Sequence, residues 1–234
     1  MPGYEVKHEQ VAVHGVADLQ IRSLLDRQQF ADAAGVAAAL GISSAQWPLF
    51  GLLWPSGGQL AMHMAGRALV PGERILEIGC GLALASLVCH RRGADVTASD
   101  CHPLTDSFLR ENLRLNALPP LPYRHGQWGV LSAGQTDAAL LLAPVAGRFD
   151  LIIGSDVLYE RDEAGTLALY LGRHLQPRAE VLIVDPDRGN RPAFSRHMAL
   201  LGFVLHSHRL SGRNAVGEAY KGRLLQYRRA AAAG

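Results

Sequence analysis

Alternation between apolar runs and helical periods constrains this chain more than any other feature. RILEIG (74–79), ADVTASD (94–100), FDLIIGSD (149–156) and EVLIVD (180–185) read as strands. Residues 82–92, 103–116 and about 162–175 carry helical spacing between or beside them, and Pro103 opens the second of these where its missing N–H costs nothing. Strands alternating with helices predict a mainly parallel sheet covered on both faces. A further helix is expected over 191–201. Two late strands, 203–210 and 222–228, follow with only a Gly/Asn-containing loop between them, which suggests a terminal antiparallel hairpin.

Ahead of this pattern lies a short appendage. Residues 4–22 alternate around a break at Gly15 and read as a hairpin or two short strands. The Ala-rich stretch 28–40 predicts a helix ending at Gly41. WPLFGLLWPSGG (47–58) reads as a structured loop, and 59–69 as a helix. At 234 residues the chain suits one large domain with an appendage too short to fold alone. The expected division is an N-terminal extension over 1–46 packed on the core, a main domain over 47–229 and a frayed tail over 230–234.

Composition removes several function classes. Apolar residues make up 48% and charged residues 19%, which excludes a mainly disordered chain. The formal charge is only +2, so there is no basic footprint for nucleic acid. Lys7 and Lys221 are the only lysines, an Arg-for-Lys bias that fits a GC-rich genome better than a functional demand. Cys80, Cys89 and Cys101 are odd in number and contain no CxxC pair, so neither a disulfide framework nor a zinc site is expected, and a reducing cytoplasm fits. No signal-peptide pattern and no apolar run of membrane-spanning length is found.

The strongest local signal is Leu76-Glu77-Ile78-Gly79-Cys80-Gly81-Leu82-Ala83-Leu84. A buried strand enters a Gly-rich turn and then a helix, which lets a ligand approach main-chain N–H groups at the helix start. Asp100 ends the next strand, where a carboxylate can accept hydrogen bonds from ribose hydroxyls. A turn glycine and a solvated strand-end Asp would explain the same residues without a ligand. A dinucleotide site requires Gly or Ala where Leu84 stands, and Glu77 is an unexpected neighbour for a pyrophosphate. An acid there suits a cationic or zwitterionic ligand. S-adenosylmethionine has an amino-acid end and a sulfonium but no phosphate.

With these pieces the chain resembles the class I, seven-strand S-adenosylmethionine-dependent methyltransferases. More narrowly, it is similar to the protein-lysine methyltransferase-like family, also called nicotinamide-N-methyltransferase-like. The matching pieces are LWPSGGQLA (53–61), LEIGCGLAL (76–84), Asp100, NLRLN (112–116), QWG (127–129) and LIIGSDVLY (151–159), spanning roughly residues 45–190. The resemblance implies a Rossmann-like, doubly wound sheet of seven strands. One departure is Leu82-Ala83, where the family usually has Thr-Gly.

Gly79, Cys80 and Gly81 are expected to bring backbone against the cofactor. Glu77 is expected to hold the methionine amino group, directly or through water, and Asp100 the ribose diol. The resemblance places Trp128 at the adenine and Trp54 in the cofactor pocket, although plain core packing is the alternative for either. Trp47 is read as core. Ser155, at the end of its strand, is counted with the cofactor contacts. Asp156 and Tyr159 form the family's D-x-x-Y motif, at the sheet edge where an acceptor would enter. The resemblance implies that Asp156 orients an ammonium and Tyr159 shapes the acceptor wall; the alternative is a helix N-cap beside a packed Tyr. His102 is a candidate for the pocket rim. Asp185-Pro186-Asp187-Arg188 reads as either a plain turn or an acceptor contact. His206 and His208 lack a third ligand and are assigned no metal.

The expected activity is methyl transfer to an amine nitrogen, with a lysine side chain of a protein as the acceptor. Such a lysine must first lose its proton, which costs about 4.6 kcal/mol at pH 7 from a pKa near 10.4. No dedicated general base is identified. The competing readings are a small-molecule amine N-methyltransferase, an NAD-dependent dehydrogenase and a non-catalytic cofactor-binding protein. The expected state is a cytoplasmic monomer with no nucleic-acid or membrane partner.

Overall fold

The structure, a computed structural model, describes residues 3–129, 142–210 and 219–229. Most of the Gly/Asn-containing loop between the late strands and the tail 230–234 lie outside the described residues.

Seven strands form one sheet: β3 (Arg74–Ile78), β4 (Asp95–Asp100), β5 (Tyr123–His125), β6 (Phe149–Ser155), β7 (Leu175–Asp185), β8 (Phe203–Leu210) and β9 (Gly222–Arg229). Their order is β5-β4-β3-β6-β7-β9-β8. The first five in that order run parallel. β9 inserts antiparallel between β7 and β8, so the expected hairpin is present and its second strand lies inward.

Strand alternation divides the core into two layers. Ile75, Leu151, Ile153, Leu182 and Val184 face one layer. There they meet α2 (Pro55–Gly66), α3 (Leu84–Arg91) and α4 (Thr105–Leu115) through buried residues such as Leu60, Leu87 and Phe108. Leu76, Ile78, Ile152, Val181 and Ile183 face the other layer. It is closed by α5 (Thr166–His174) and α6 (Arg191–Leu200) through Leu167, Leu171, Phe194 and Met198.

The N-terminal residues form the antiparallel pair β1 (Val6–Val11) and β2 (Leu19–Leu24). The NLRLN motif anchors this pair. Asn112 Oδ1 accepts from Arg22 N at 2.7 Å. One turn later, Asn116 Oδ1 accepts from Gln20 N at 3.0 Å while its Nδ2 donates to Gln20 O at 2.7 Å. Two side-chain amides on one helix face thus do for β2 what a neighbouring strand would do.

Several element boundaries differ from expectation. The helix expected over 28–40 shrinks to one turn, α1 (Val36–Ala39). Asp32 folds back so that its two carboxylate oxygens accept from Ala37 N and Ala38 N, which fixes the helix start at residue 36. The loop expected over 47–58 is a 3-10 turn, Trp47–Gly51, and then the first turns of α2. Pro55 at the first helical position tolerates the missing donor, so α2 begins there instead of at residue 59. β7 starts at Leu175 rather than 180, across a register shift opposite Phe149–Leu151. β5 had no sequence signal; it has three residues, pairs with β4, and carries a single bridge from His125 to Pro144 on its other side.

Candidate active site

The cavity opens at the carboxyl ends of β3, β4, β6 and β7, where side chains from four strand ends converge. Its volume is about 550 Å³, within the usual range for small-molecule sites. Every residue expected from the sequence to contact cofactor or acceptor lines it: Trp54, Glu77, Gly79, Cys80, Gly81, Asp100, Trp128, Ser155, Asp156 and Tyr159.

The turn after β3 is built on three left-handed residues, Gly79 (φ 54°), Gly81 (φ 51°) and Ala83 (φ 58°). A Cβ on Gly81 would lie 2.9 Å from the Phe50 carbonyl oxygen, and one on Gly79 would lie 2.9 Å from Val157 Cγ1 and 3.4 Å from Trp128 Cη2. The backbone therefore approaches its neighbours more closely than any side chain would allow. Ala83 adopts the glycine-like conformation that the turn requires although it has a Cβ. The Leu82-Ala83 departure thus leaves the path of the chain intact.

Two buried carboxylates flank this turn. Glu77 is 3% exposed, and its Oε2 accepts from Ser86 N at 2.7 Å and Ser86 Oγ at 2.5 Å. Burial pushes its pKa up to about 7, with the Ser86 bonds opposing the rise and Asp100 adding to it. Asp100 Oδ2 accepts from Gly81 N and its Oδ1 from His102 N, both at 2.9 Å. Asp100 therefore ties the Gly turn to the end of β4, a structural role that the sequence reading did not include. Burial raises its pKa too, against the pull of those main-chain donors.

Aromatic residues wall the rest. Trp54 precedes α2 and is fixed by its Nε1 donating to Leu49 O at 2.9 Å. Trp128 packs near Tyr170, with ring centroids 6.0 Å apart. Trp47 is buried in the core, as expected. His102 is among the residues that line the cavity, although it is only 2% exposed and stacks on Phe50 with centroids 3.8 Å apart and planes at 10°. Its Nδ1 accepts from Leu104 N, and burial lowers its pKa to about 3, so it stays a neutral ring. Burial also raises the Cys80 thiol well above its usual range, so it offers no thiolate.

Asp156 is not a helix N-cap. The next helix starts at Thr166, and Asp162 caps it by accepting from Thr166 N and Leu167 N. Asp156 is held in left-handed backbone (φ 57°), its N–H donates to Val184 O at 2.9 Å, and Arg188 meets both of its carboxylate oxygens at 2.8 and 2.9 Å. Tyr159 stands 46% exposed at the mouth. Of the Asp185–Arg188 stretch, Arg188 lines the cavity, and its signal was present as the Asp-Pro-x-Arg spacing. A further wall comes from the N-terminal segment, where Arg27, Ile42 and Gln46 line the cavity without any motif to mark them. Gln46 Nε2 donates to Glu160 Oε1 at 2.8 Å, which joins that wall to the loop after β6.

Residues 51–199, more than half of the chain, match the model of a family described as lysine methyltransferase. The chain belongs to the lysine methyltransferase family. Among individual proteins, it is 31% identical to the mouse electron transfer flavoprotein beta subunit lysine methyltransferase, over 64% of this chain and 54% of that protein. It is 30% identical to the human histone-arginine methyltransferase METTL23, over 55% of this chain and 66% of that protein. It is 32% identical to the zebrafish protein N-lysine methyltransferase METTL21A, over 50% and 52%. The chain spans about half the length of the first of these curated relatives. Solved structures share the fold. A methyltransferase from Pyrococcus furiosus superposes with a TM-score of 0.54 at 20% identity, over 72% of this chain and 81% of that one. The magnesium protoporphyrin IX methyltransferase of Synechocystis, solved with bound SAM, gives 0.53 at 17%, over 74% and 78%. Among the described residues, no cluster of three His, Cys, Asp or Glu side chains could hold a metal, and no helix is long and apolar enough to cross a membrane.

Proposed function

We propose that this member of the lysine methyltransferase family transfers a methyl group from S-adenosylmethionine to the side-chain nitrogen of a lysine in a protein. The observation that carries the reading is the pairing, in one cavity, of a phosphate-averse cradle with an acidic acceptor rim. Glu77 and Asp100 beside the Gly turn would repel a pyrophosphate and suit an ammonium and a ribose. That chemistry fits S-adenosylmethionine and disfavours NAD. When bound, the cofactor supplies an electrophilic methyl on a sulfonium.

The chain's own work is binding, alignment and exclusion of water. Gly79, Cys80 and Gly81 give main-chain contact, Trp54 and Trp128 give apolar faces, and Ser155 lies at the junction between cofactor and acceptor regions. Asp156 orients the acceptor nitrogen and Tyr159 shapes its entry. Residues 1–46 serve as an extension that walls the acceptor side, and 47–229 as the methyltransferase domain. The family assignment favours a protein acceptor over a free amine; a cytoplasmic monomer completes the reading.

The test begins with calorimetric titration against S-adenosylmethionine, S-adenosylhomocysteine and NAD. Micromolar binding of the two adenosyl ligands alone is expected. Incubation with labelled cofactor and a cell extract should then place label in protein, and mass spectrometry of the labelled site should find methyl-lysine. Methyl-arginine would redirect the acceptor class, and label only in small molecules would refute a protein acceptor. Asp156→Asn should keep cofactor affinity and lose transfer; unchanged transfer would remove Asp156 from the acceptor site.

A further inference from the structure

A lysine-specific site that contains a bare carboxylate has a chemical problem. The acceptor nitrogen attacks with its lone pair, forming a C–N bond while the electrons of the C–S bond return to sulfur, so its proton must leave beforehand. An unpaired Asp156 would bind the ammonium form tightly and hold that proton in place.

The geometry removes the problem. Arg188 meets Asp156 as a two-point fork, at 2.8 and 2.9 Å. Asp156 keeps only 14% of its side-chain surface exposed, while Arg188 is half-exposed on the cavity wall. Such an accessible pair contributes little to stability, yet its carboxylate partner sits on strained backbone. Asp156 and Asp187, at the ends of adjacent strands, both adopt left-handed backbone. The surrounding charges are matched. Asp187 is occupied by Arg191 at 2.8 Å and Arg223 at 3.3 Å. Asp185 is buried at the end of β7 and accepts from Asp187 N. Tyr220, reaching in ahead of β9, is bonded to Ser56 of α2, and Tyr159 and Glu160 follow on Asp156's own loop, with Glu160 held by Gln46. Asp156, Asp185 and Asp187 thus face Arg188, Arg191 and Arg223, three carboxylates against three guanidiniums.

We propose that Arg188 is a positioning residue that discharges Asp156, so that the acceptor site accepts an amine in its neutral form and turns away its ammonium. Asp156 still offers lone pairs to an N–H of the amine, and Arg188 supplies the positive charge that the substrate would otherwise have to bring. The inference rests on the proposed acceptor role of Asp156.

Two measurements test it. The first uses n-butylammonium as a lysine side-chain probe on the cofactor-free protein at pH 7, followed by NMR. Arg188→Gln should bind it at least tenfold more tightly than the unaltered chain, Arg188→Lys should not, and Asp156→Asn added to Arg188→Gln should abolish the gain. Equal affinity in all, or binding in none, overturns the proposal. The second follows single-turnover methyl transfer to cell-extract protein across pH, with the chain in excess. Arg188→Gln should move the alkaline midpoint up by about one unit, the lower end of what a charge at this range produces. Transfer should then be about tenfold slower at pH 7 and unchanged at pH 10, with Arg188→Lys restoring the original profile. An unmoved midpoint overturns the role of Arg188 while leaving the proposed function standing. No transfer by the unaltered chain at any pH overturns both.

Discussion

Glu77→Gln should make this protein more stable and less able to bind its cofactor, and the two effects have separate signatures. Burial raises the Glu77 pKa from 4.5 to about 7. Between those values the folded chain holds a proton that the unfolded chain has released, so stability falls as pH rises through this window. A difference of that size is worth about 3 kcal/mol, fully present below pH 4.5 and lost above pH 7. Gln cannot ionise, and its carbonyl can still accept from Ser86 N and Oγ, the two donors that now share Oε2. Asp100 is also raised by burial, but it is present in both proteins and cancels from their difference. Urea unfolding at pH 4.5 and pH 8, without cofactor, reads the effect. The variant should match the parent at the low pH and exceed it by roughly 3 kcal/mol at the high pH, a shift of about 6–12 °C in Tm for a domain of this size. Its S-adenosylmethionine affinity should fall tenfold or more, because the cofactor's ammonium loses its carboxylate. A stability difference that does not change with pH, or a variant less stable at pH 8, would show that Glu77 is not ionised against the cost of burial and would refute the reasoning.

The same carboxylate predicts that cofactor binding near pH 6 releases a proton, which calorimetry in buffers of different ionisation enthalpy would detect. Gly81→Ala should destabilise the fold by at least ~1–2 kcal/mol from its left-handed backbone alone and abolish cofactor binding, since its Cβ would meet the Phe50 carbonyl at 2.9 Å; thermal melting and titration check both. Ala83→Gly should change stability by less than ~1 kcal/mol, because relief of left-handed strain is offset by a lost buried methyl and a freer unfolded chain. Asn112→Ala should cost about 1–3 kcal/mol by stripping Arg22 N–H of its acceptor, and hydrogen exchange should locate the loosening in β2.

How much of this was legible in the sequence depended on whether the determinant was local. β3 and β6 announced themselves because burial on both faces selects apolar runs, β4 by the alternation of Val96 and Ala98 with polar residues, and the Gly turn because its geometry excludes side chains at positions 79 and 81. β5 had no such signature: three residues at a sheet edge are specified by their neighbour, not by their own pattern. The Ala-rich stretch before residue 40 had helical propensity throughout, yet a single carboxylate, Asp32, decided where the helix begins. Most of the expected site residues line one cavity because strand ends carry them there, and strand ends are readable; Trp54 reaches it from the start of α2 and Trp128 from the loop after β5.

Partners across the sequence were not readable. Asp156 has the composition of a helix cap and in fact pairs with a residue 32 positions away, through a fork that requires the strand order to be known. The same holds for Asn112 and Asn116, whose spacing marks a motif while their hydrogen bonds reach back 90 and 96 residues to β2. In both cases the motif identifies which residue has a role, and only the fold reveals the partner that determines what the role is. For Asp156 that partner is a cation, Arg188, and the proposal that the acceptor site takes a neutral amine rests on that pairing.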